Sequence, residues 1–189
     1  MKGDTERPKI YHVALGFYLV LAVGAVVWLG SSRGVRALDL FLDTTTWWRD
    51  CAVGLGFAAI LLGGWNLAGR KFDSIGRLEA RIKEILGPLT VEEAVGLALI
   101  SGFTEELFFR GAVQGAWGWV ASTAIFALLH SGPGAEFRPW TLFAAVAGLC
   151  LAGLMLWSGN LLAPIVCHVA VNAVSLARLA QEQVKEESA

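Results

Sequence analysis

Long apolar segments constrain the fold of this chain more than any other feature of its sequence. The first extends from Ile10 to Gly30, a run of about 21 residues that is long enough to cross a hydrocarbon core of roughly 30 Å. It is longer than the apolar region of an ordinary signal peptide, and no clear cleavage site follows it. We therefore predict that this segment is a transmembrane helix.

The composition also indicates a membrane protein. The chain has 189 residues, of which 56% are hydrophobic and 16% charged, whereas soluble domains carry about 25% charged residues. Its 22 glycines and eight tryptophans are typical of helices that pack closely in lipid and carry aromatic anchors at the headgroups. The net charge of -1 and the lack of a basic stripe argue against a nucleic-acid partner.

We predict a single membrane domain over residues 1–189, folded as an all-α, polytopic bundle of about six transmembrane helices. Two N-terminal helices cover about 10–30 and 50–69. An amphipathic connector follows over 70–87, and a catalytic core of about 90–179 holds the remaining helices. Neither an internal repeat nor an interdomain linker is visible in the sequence.

Capping and helix-breaking residues set the predicted boundaries within this core. Thr90-Val-Glu-Glu93 predicts a capping box at the start of the third span. Ser131-Gly-Pro-Gly134 is a strong helix breaker. The charged residues from Gln181 to Glu187 are expected to be solvated. The predicted core spans are about 90–115, 117–130, 139–160 and 161–179.

The connector has apolar side chains at helical spacing between charged ones. Ile75, Leu78 and Ile82 recur at this spacing, with lysine, arginine and glutamate residues between them. Such a helix can lie in the headgroup region of a membrane or cover the end of the bundle. The sequence leaves both placements open.

The distribution of lysine and arginine predicts the orientation. With a cytoplasmic N-terminus, eleven of these residues fall in inner segments and three in outer ones, namely Arg33, Arg36 and Arg49. We therefore expect both termini to lie in the cytoplasm, and we expect the protein in the cell (inner) membrane of a bacterium or archaeon.

Polar residues inside the core spans are the strongest sign of function. A charged side chain at bilayer depth costs several kcal/mol, so such residues usually face inward and mark function. Counted from the predicted turns at 1.5 Å per residue, the first glutamate, both histidines and the asparagine fall within one band of depth. They can therefore form one site. The residues concerned are Glu105, Glu106, Arg110, His130, His168 and Asn172.

Spacing within the helices predicts which of these side chains meet. Glu106 and Arg110 are four residues apart with the acid first, so they can pair on one helix face. Glu105 projects about 100° away from Glu106 and is left to face another partner. Phe126 precedes His130 by one helical turn and can form an apolar wall of the site.

This set of residues supports hydrolysis. A carboxylate beside a neutral imidazole can hold a water molecule and accept its proton, and a second imidazole beside a carboxamide can donate to a developing oxyanion. No activated serine or cysteine nucleophile is apparent. We predict no cofactor. A zinc site formed by Glu105, His130 and His168 is the alternative, which the lack of a His-Glu-x-x-His motif disfavours.

Three motifs in order resemble those of the CPBP family, the CAAX-processing and bacteriocin-processing intramembrane endopeptidases, also called the Abi family. The similarity extends over about Thr90 to Arg178, and the order, spacing and helical placement all match. The motifs are Glu105-Glu106-x-x-x-Arg110, Phe126-x-x-x-His130 and His168-x-x-x-Asn172.

The resemblance implies a glutamate-type intramembrane peptidase. By position in the motifs, Glu105 would be the base that activates water together with His130, and His168 with Asn172 would form the oxyanion pocket. The glutamate–arginine pair of the first motif would hold its helix and orient substrate. The expected substrate is a membrane-anchored protein or peptide that is cut near its membrane-associated end.

The family contains prenylated-protein proteases, self-immunity proteins and sorting-type peptidases that act on C-terminal membrane anchors, and this sequence does not select among them. The alternative function is a non-proteolytic membrane immunity or scaffold protein of the same family. A transporter or proton relay is disfavoured because no inverted repeat or pair of broken helices is detectable. Oligomeric state and prenyl dependence stay open.

Overall fold

The computed structural model describes residues 10–34, 36–41 and 45–187, and these residues form helices and short connections without any β-strand. A π-helical segment, Leu107–Val113, joins α4 to α5, and Ala37–Leu40 and Ala135–Phe137 form 3-10 turns. The predicted all-α fold is confirmed. The helices are α1 (Ile10–Arg33), α2 (Trp47–Gly69), α3 (Asp73–Leu86), α4 (Val91–Glu106), α5 (Gln114–Leu129), α6 (Arg138–Ser158) and α7 (Leu162–Glu187).

Five helical segments of the described chain are long and apolar enough to cross a membrane. The third of them, Val91–Leu129, is 39 residues long and folds back on itself at Gly118, where φ is +83°. The hydroxyl of Ser122 donates to the carbonyl oxygen of Phe109 across this turn at 2.8 Å. The turn at Gly118 therefore divides this segment into two arms, and the arm after Gly118 is about 16 Å long, shorter than a full span.

The start of α4 is set by the predicted capping box. The hydroxyl of Thr90 accepts a hydrogen bond from the backbone N–H of Glu93 at 3.1 Å, and the Glu93 carboxylate accepts one from the backbone N–H of Thr90 at 3.0 Å. Two backbone donors that have no partner within the helix are thereby satisfied. This part of the prediction is confirmed.

The C-terminal helix is longer than predicted, because α7 continues through the charged segment that was expected to be solvated. The side chain of Gln183 donates to the carbonyl oxygen of Gly87 at 3.0 Å, and Glu182 lies 3.0 Å from the ammonium nitrogen of Lys83. These contacts attach the end of α7 to α3 and to the connection that follows it. The glutamine, glutamate and lysine residues of this segment are good helix formers, and these tertiary contacts hold the extended helix against the bundle.

The amphipathic helix α3 packs across one end of the bundle. Its apolar residues Ile75 and Leu78 are buried, and the indole N–H of Trp65 on α2 donates to the carboxylate of Glu79 at 3.0 Å. Of the two predicted placements, the described contacts are those of a helix that covers the bundle end. Whether the outer face of α3 also contacts lipid headgroups stays a prediction.

Helix α7 is central in the bundle and packs against α2, α4 and α6. A Cβ atom at Gly54 of α2 would lie 2.6 Å from the carbonyl oxygen of Ala163. A Cβ atom at Gly102 of α4 would lie 2.7 Å from a methyl carbon of Val169. Glycine therefore allows both neighbouring helices to approach α7 closely, as is common for helices packed in lipid.

At the end of the bundle opposite α3, one buried carboxylate joins three parts of the chain. Asp50 at the start of α2 accepts hydrogen bonds from Thr46 at 3.1 Å, from Arg49 at 2.9 Å and from the amide of Asn160 at 2.7 Å. Asn160 lies in the turn between α6 and α7. The Asp50 carboxylate therefore anchors the first turn of α2 to this turn.

We expect Asp50→Ala to lower the free energy of unfolding by about 1–3 kcal/mol, because the donors of Asn160 and Arg49 lose a buried acceptor. The measurement is the thermal midpoint of the purified protein in detergent. Asp39→Ala is the matched control, since Asp39 pairs with Arg36 in an exposed ion pair. An equal midpoint for the Asp50→Ala variant and this control would contradict the assignment of Asp50 as an anchor.

Candidate active site

Glu105 lies near the C-terminal end of α4, and its side chain is about 10% exposed. One carboxylate oxygen, Oε1, accepts a hydrogen bond from the hydroxyl of Tyr18 at 2.9 Å. The other, Oε2, lies 3.7 Å from Nε2 of His130 and has no hydrogen-bond partner among the described residues. The two oxygens therefore have different surroundings, and the free one faces the imidazole.

His130 follows the last turn of α5, and a backbone contact fixes its tautomer. Its Nδ1 lies 2.7 Å from the carbonyl oxygen of Phe126, which can only accept, so Nδ1 carries a hydrogen. In the neutral ring, the lone pair is then on Nε2, the atom that faces Glu105. The Phe126 ring lies 4.2 Å from the imidazole and Trp140 meets it edge-on at 5.6 Å, so aromatic side chains hold its position.

Glu106 is the centre of a fully buried charge network. Its Oε1 accepts a hydrogen bond from Arg110 at 3.1 Å and lies 2.7 Å from Nδ1 of His168. A second guanidinium nitrogen of Arg110 donates to the carbonyl oxygen of Gly148 on α6 at 3.1 Å. The predicted pairing of Glu106 with Arg110 is confirmed, and the structure adds His168 as a second partner of the same carboxylate.

Asn172 is one turn after His168 on α7, and its amide donates to the hydroxyl of Ser101 on α4 at 3.1 Å. An amide nitrogen has two hydrogens, so one is still available to another acceptor. His130, His168 and Asn172 all line a small cavity of about 50 Å³. The structure thus brings together the polar residues that the sequence predicted as one site.

Phe126 forms the predicted apolar wall between the two halves of the site. Its ring packs against His130 at a tilt of 33°, meets His168 edge-on at 5.9 Å, and lies 4.5 Å from the guanidinium carbon of Arg110. Cation–π contacts of this kind stabilise a cation where water is excluded. One aromatic side chain therefore contacts both imidazoles and the buried arginine.

The helix widens immediately after the two glutamates. Leu107–Val113 is a π-helix, and Arg110 lies within it. Short π-helical segments are rare and occur frequently at functional sites, because the extra residue in the turn changes the direction of the side chains that follow. No feature of a single sequence predicts this segment, since its residues have ordinary helical propensities.

A second cavity of about 360 Å³ extends from the site towards α3. Glu105, His130 and Asn172 line one end of it, and Leu78 and Ile82 of α3 line the other. Its volume is within the range of about 300–1,000 Å³ that is usual for ligand sites, and most of its lining is apolar. The cavity is therefore large and apolar enough to hold a mostly apolar ligand beside the Glu105 carboxylate.

Sequence reasoning missed two residues of the site, Tyr18 and Ser101. Tyr18 lies in the first apolar helix, and a tyrosine hydroxyl in such surroundings usually has a hydrogen-bond partner. Its presence there was the signal that could have indicated a polar contact with another helix. Ser101 precedes Glu105 by four residues on α4 and therefore lies on the same helix face. Both contacts join helices that are far apart in sequence, and local spacing does not predict such pairs.

Over the described ranges 10–34, 36–41 and 45–187, no three histidine, cysteine, aspartate or glutamate side chains form a group suited to hold a metal ion. The alternative zinc set of Glu105, His130 and His168 is therefore not arranged as such a group. His168 is bonded through Nδ1 to Glu106 instead. The prediction that no cofactor is used stays a prediction.

The segment that carries these side chains matches a known family. Residues 88–174 match the model of the type II CAAX prenyl endopeptidase Rce1-like proteins. This segment is a little under half of the chain, and it is similar to the Rce1-like family. The match includes every site residue predicted from sequence, from Glu105 to Asn172, and it bears out the predicted resemblance to the CPBP family.

One curated relative is the uncharacterized protein YpbD of Bacillus subtilis (strain 168), which is 34% identical over 110 residues. The alignment covers 56% of this chain and 55% of YpbD, so the chain spans about half the length of that relative. No solved structure matches the chain significantly. Five described helical segments that are long and apolar enough to cross a membrane, together with the match to a membrane protease family, support an integral membrane protein.

We expect Gly102→Ala to destabilise the contact of α4 with α7. The added methyl group would lie 2.7 Å from a methyl carbon and 3.0 Å from the backbone nitrogen of Val169, so one helix must shift. Such overpacking lowers the free energy of unfolding by about 1–3 kcal/mol. The measurement is the thermal midpoint in detergent, which we expect to fall. Gly153→Ala on α6 is the control because its methyl group would have no neighbour within 4 Å. A variant at Gly102 that melts no lower than this control would refute the close approach.

Proposed function

We propose that this protein is an intramembrane endopeptidase that hydrolyses a peptide bond near the membrane-associated end of a protein or peptide substrate. The observation that carries this proposal is the 3.7 Å approach of Glu105 Oε2 to His130 Nε2, at the end of a mostly apolar cavity of about 360 Å³. The family match gives protease activity at the level of the family.

The first step is activation of water between these two side chains. Both facing atoms are acceptors, because the hydrogen of His130 is on Nδ1. A water molecule that bridges them donates one hydrogen to each, and its lone pairs then point away towards the cavity. As the water oxygen attacks the substrate carbonyl carbon, Glu105 accepts its proton, which is general-base catalysis.

The second step is stabilisation of the tetrahedral oxyanion by α7. The Glu106 carboxylate, bonded to Nδ1 of His168, stabilises a doubly protonated ring, whose Nε2–H can donate to the oxyanion. The remaining amide hydrogen of Asn172 is the second donor. Both groups are already oriented by hydrogen bonds, so little reorganisation is needed when the charge develops.

The final step is collapse of the tetrahedral intermediate. The C–N bond breaks, the carbonyl double bond re-forms, and the proton held by Glu105 passes to the leaving amine. The products are a new carboxyl terminus and a new amino terminus, and Glu105 returns to its ionised form. The water supplies the oxygen and both hydrogens of the net reaction, so no cofactor is required by the balance.

The cavity favours a substrate with an extended, mostly uncharged segment beside the cleaved bond. It opens towards the end of the bundle covered by α3, which the lysine and arginine distribution assigns to the cytoplasm, with both termini on that side. CAAX-like processing and sorting-type removal of a C-terminal anchor both fit this geometry. The proposed location is the cell membrane of a bacterium or archaeon.

The proposal is tested with Glu105→Gln and His130→Ala beside wild type, by mass spectrometry of membrane-protein C-termini and small peptides. We expect a product that is present in wild type and reduced at least about 100-fold in both variants, because water activation is lost. Glu92→Gln and His12→Ala are matched controls, since both residues are exposed and lie outside the site.

Two outcomes of this comparison are informative. A product lost only in the site variants, with each protein present in the membrane at its normal level, supports hydrolysis and identifies the substrate. Identical termini in all five strains, with a host phenotype that survives both site variants, would reject the peptidase and favour the immunity or scaffold protein.

We expect Asn172→Ala to lower kcat by about 100-fold or more with a smaller change in KM, because its amide acts on the transition state rather than on bound substrate. The measurement is the rate of cleavage of the substrate identified above by purified protein in detergent. Ser175→Ala on the same helix, which also lines the cavity, is the comparison. A change confined to KM would place Asn172 in substrate binding instead.

A further inference from the structure

Tyr18 connects the first helix to the site although it lies outside the segment that matches the family. Its hydroxyl donates to Glu105 Oε1 at 2.9 Å, while Oε2 of the same carboxylate faces His130. α1 packs along α4, which brings this hydroxyl into the bundle. The contact is therefore made by a part of the chain to which the family match assigns nothing.

Tyr18 lies beside the other polar residues of the site. Tyr18, Ser101 and Asn172 line the larger cavity together with Glu105 and His130, and the amide of Asn172 donates to the hydroxyl of Ser101. The Tyr18 hydroxyl donates to Glu105, whose second oxygen faces His130. Tyr18 therefore contacts the proposed base from the first helix.

A carboxylate turns about its terminal bond with little preference, because torsions of this kind are broad and nearly two-fold. One donor fixed to one oxygen removes that freedom and leaves the other oxygen at a defined position. A general base needs this fixed orientation, since the accepting oxygen must be aimed at its water.

We propose that Tyr18 is a positioning residue for the Glu105 base: its hydroxyl fixes Oε1, so that Oε2 faces His130. This inference rests on the proposed function, which it deepens. It makes α1 a part of the active site, so the reacting geometry is not complete within residues 88–174. Tyr18 does not touch the reacting atoms and acts through Glu105 alone.

The first test compares Tyr18→Phe with wild type in cleavage of the substrate found above. Loss of one hydrogen bond to a charged group lowers kcat by about 10- to 100-fold and leaves KM within about threefold. Tyr11→Phe is the matched control. It removes the same hydroxyl from the same helix seven residues earlier, where Tyr11 packs among Leu89, Ala94 and Ala180. Normal kcat in Tyr18→Phe, with activity lost in Glu105→Gln, would overturn the proposal.

A second test reads the contact of Tyr18 with Glu105 without any substrate. Tyr18→Phe and Glu105→Ala are combined, and the thermal midpoints of the two single variants and the double variant are compared in detergent. Because the Tyr18 hydroxyl is bonded to the Glu105 carboxylate, we expect Tyr18→Phe to lower the midpoint less in the Glu105→Ala background than in wild type. An equal effect in both backgrounds would overturn the proposal whatever the activity.

The two tests separate this inference from the proposed function. Coupled midpoints together with lower kcat in Tyr18→Phe support both. Coupled midpoints in a protein for which wild type and Glu105→Gln give identical termini support the contact of Tyr18 with Glu105 and reject the peptidase. Coupled midpoints with normal kcat in Tyr18→Phe would mean that the hydroxyl only stabilises the fold, and would reject the positioning role.

Discussion

The buried contact of Glu106 with Arg110 and His168 is the interaction on which the rest of the structure depends. It joins α4 to α7, and through the Arg110 bond to the Gly148 carbonyl it includes α6. Removing one member of such a network leaves an uncompensated charge and costs about 3–5 kcal/mol. Because Glu106 adjoins Glu105, the contact that fixes the helices also fixes the site. The same buried contact therefore stabilises the packing of the helices and sets the geometry of the site.

The parts of this structure that follow from local periodicity could be predicted from the sequence. The spacing of Glu106 and Arg110 predicted their pairing, and Thr90 with Glu93 predicted the start of α4. The rise of 1.5 Å per residue, counted from the predicted turns, placed the polar side chains at a similar depth. This estimate requires only the geometry of a helix and the approximate positions of the turns. These inferences succeed because the bilayer restricts the chain to helices that cross it, so that depth can be read from residue number.

Other parts depend on contacts between distant segments, and local pattern did not predict them. The partner of Tyr18 is 87 residues away, and the bond of Asn172 to Ser101 joins residues 71 apart. The π-helix that contains Arg110 is explained by the contacts of that side chain with Glu106 and with the Gly148 carbonyl oxygen, not by the residues of the segment itself. The extension of α7 depends on Gln183 reaching the connection after α3. In each case a contact between distant segments decides the structure, and the periodicity of a single helix does not reveal that contact.

The contacts that local spacing predicts and the contacts between distant segments also involve different parts of the chain. The segment that matches the family model holds Glu105, both imidazoles of the site and the Asn172 amide, whereas α1, α2 and α3 supply Tyr18 and part of the cavity lining. In an interior that excludes water, one hydrogen bond to a carboxylate acts more strongly than it would at a surface. The N-terminal helices therefore contribute to the surroundings of Glu105, because Tyr18 bonds to its carboxylate and residues of α2 and α3 line the cavity beside it.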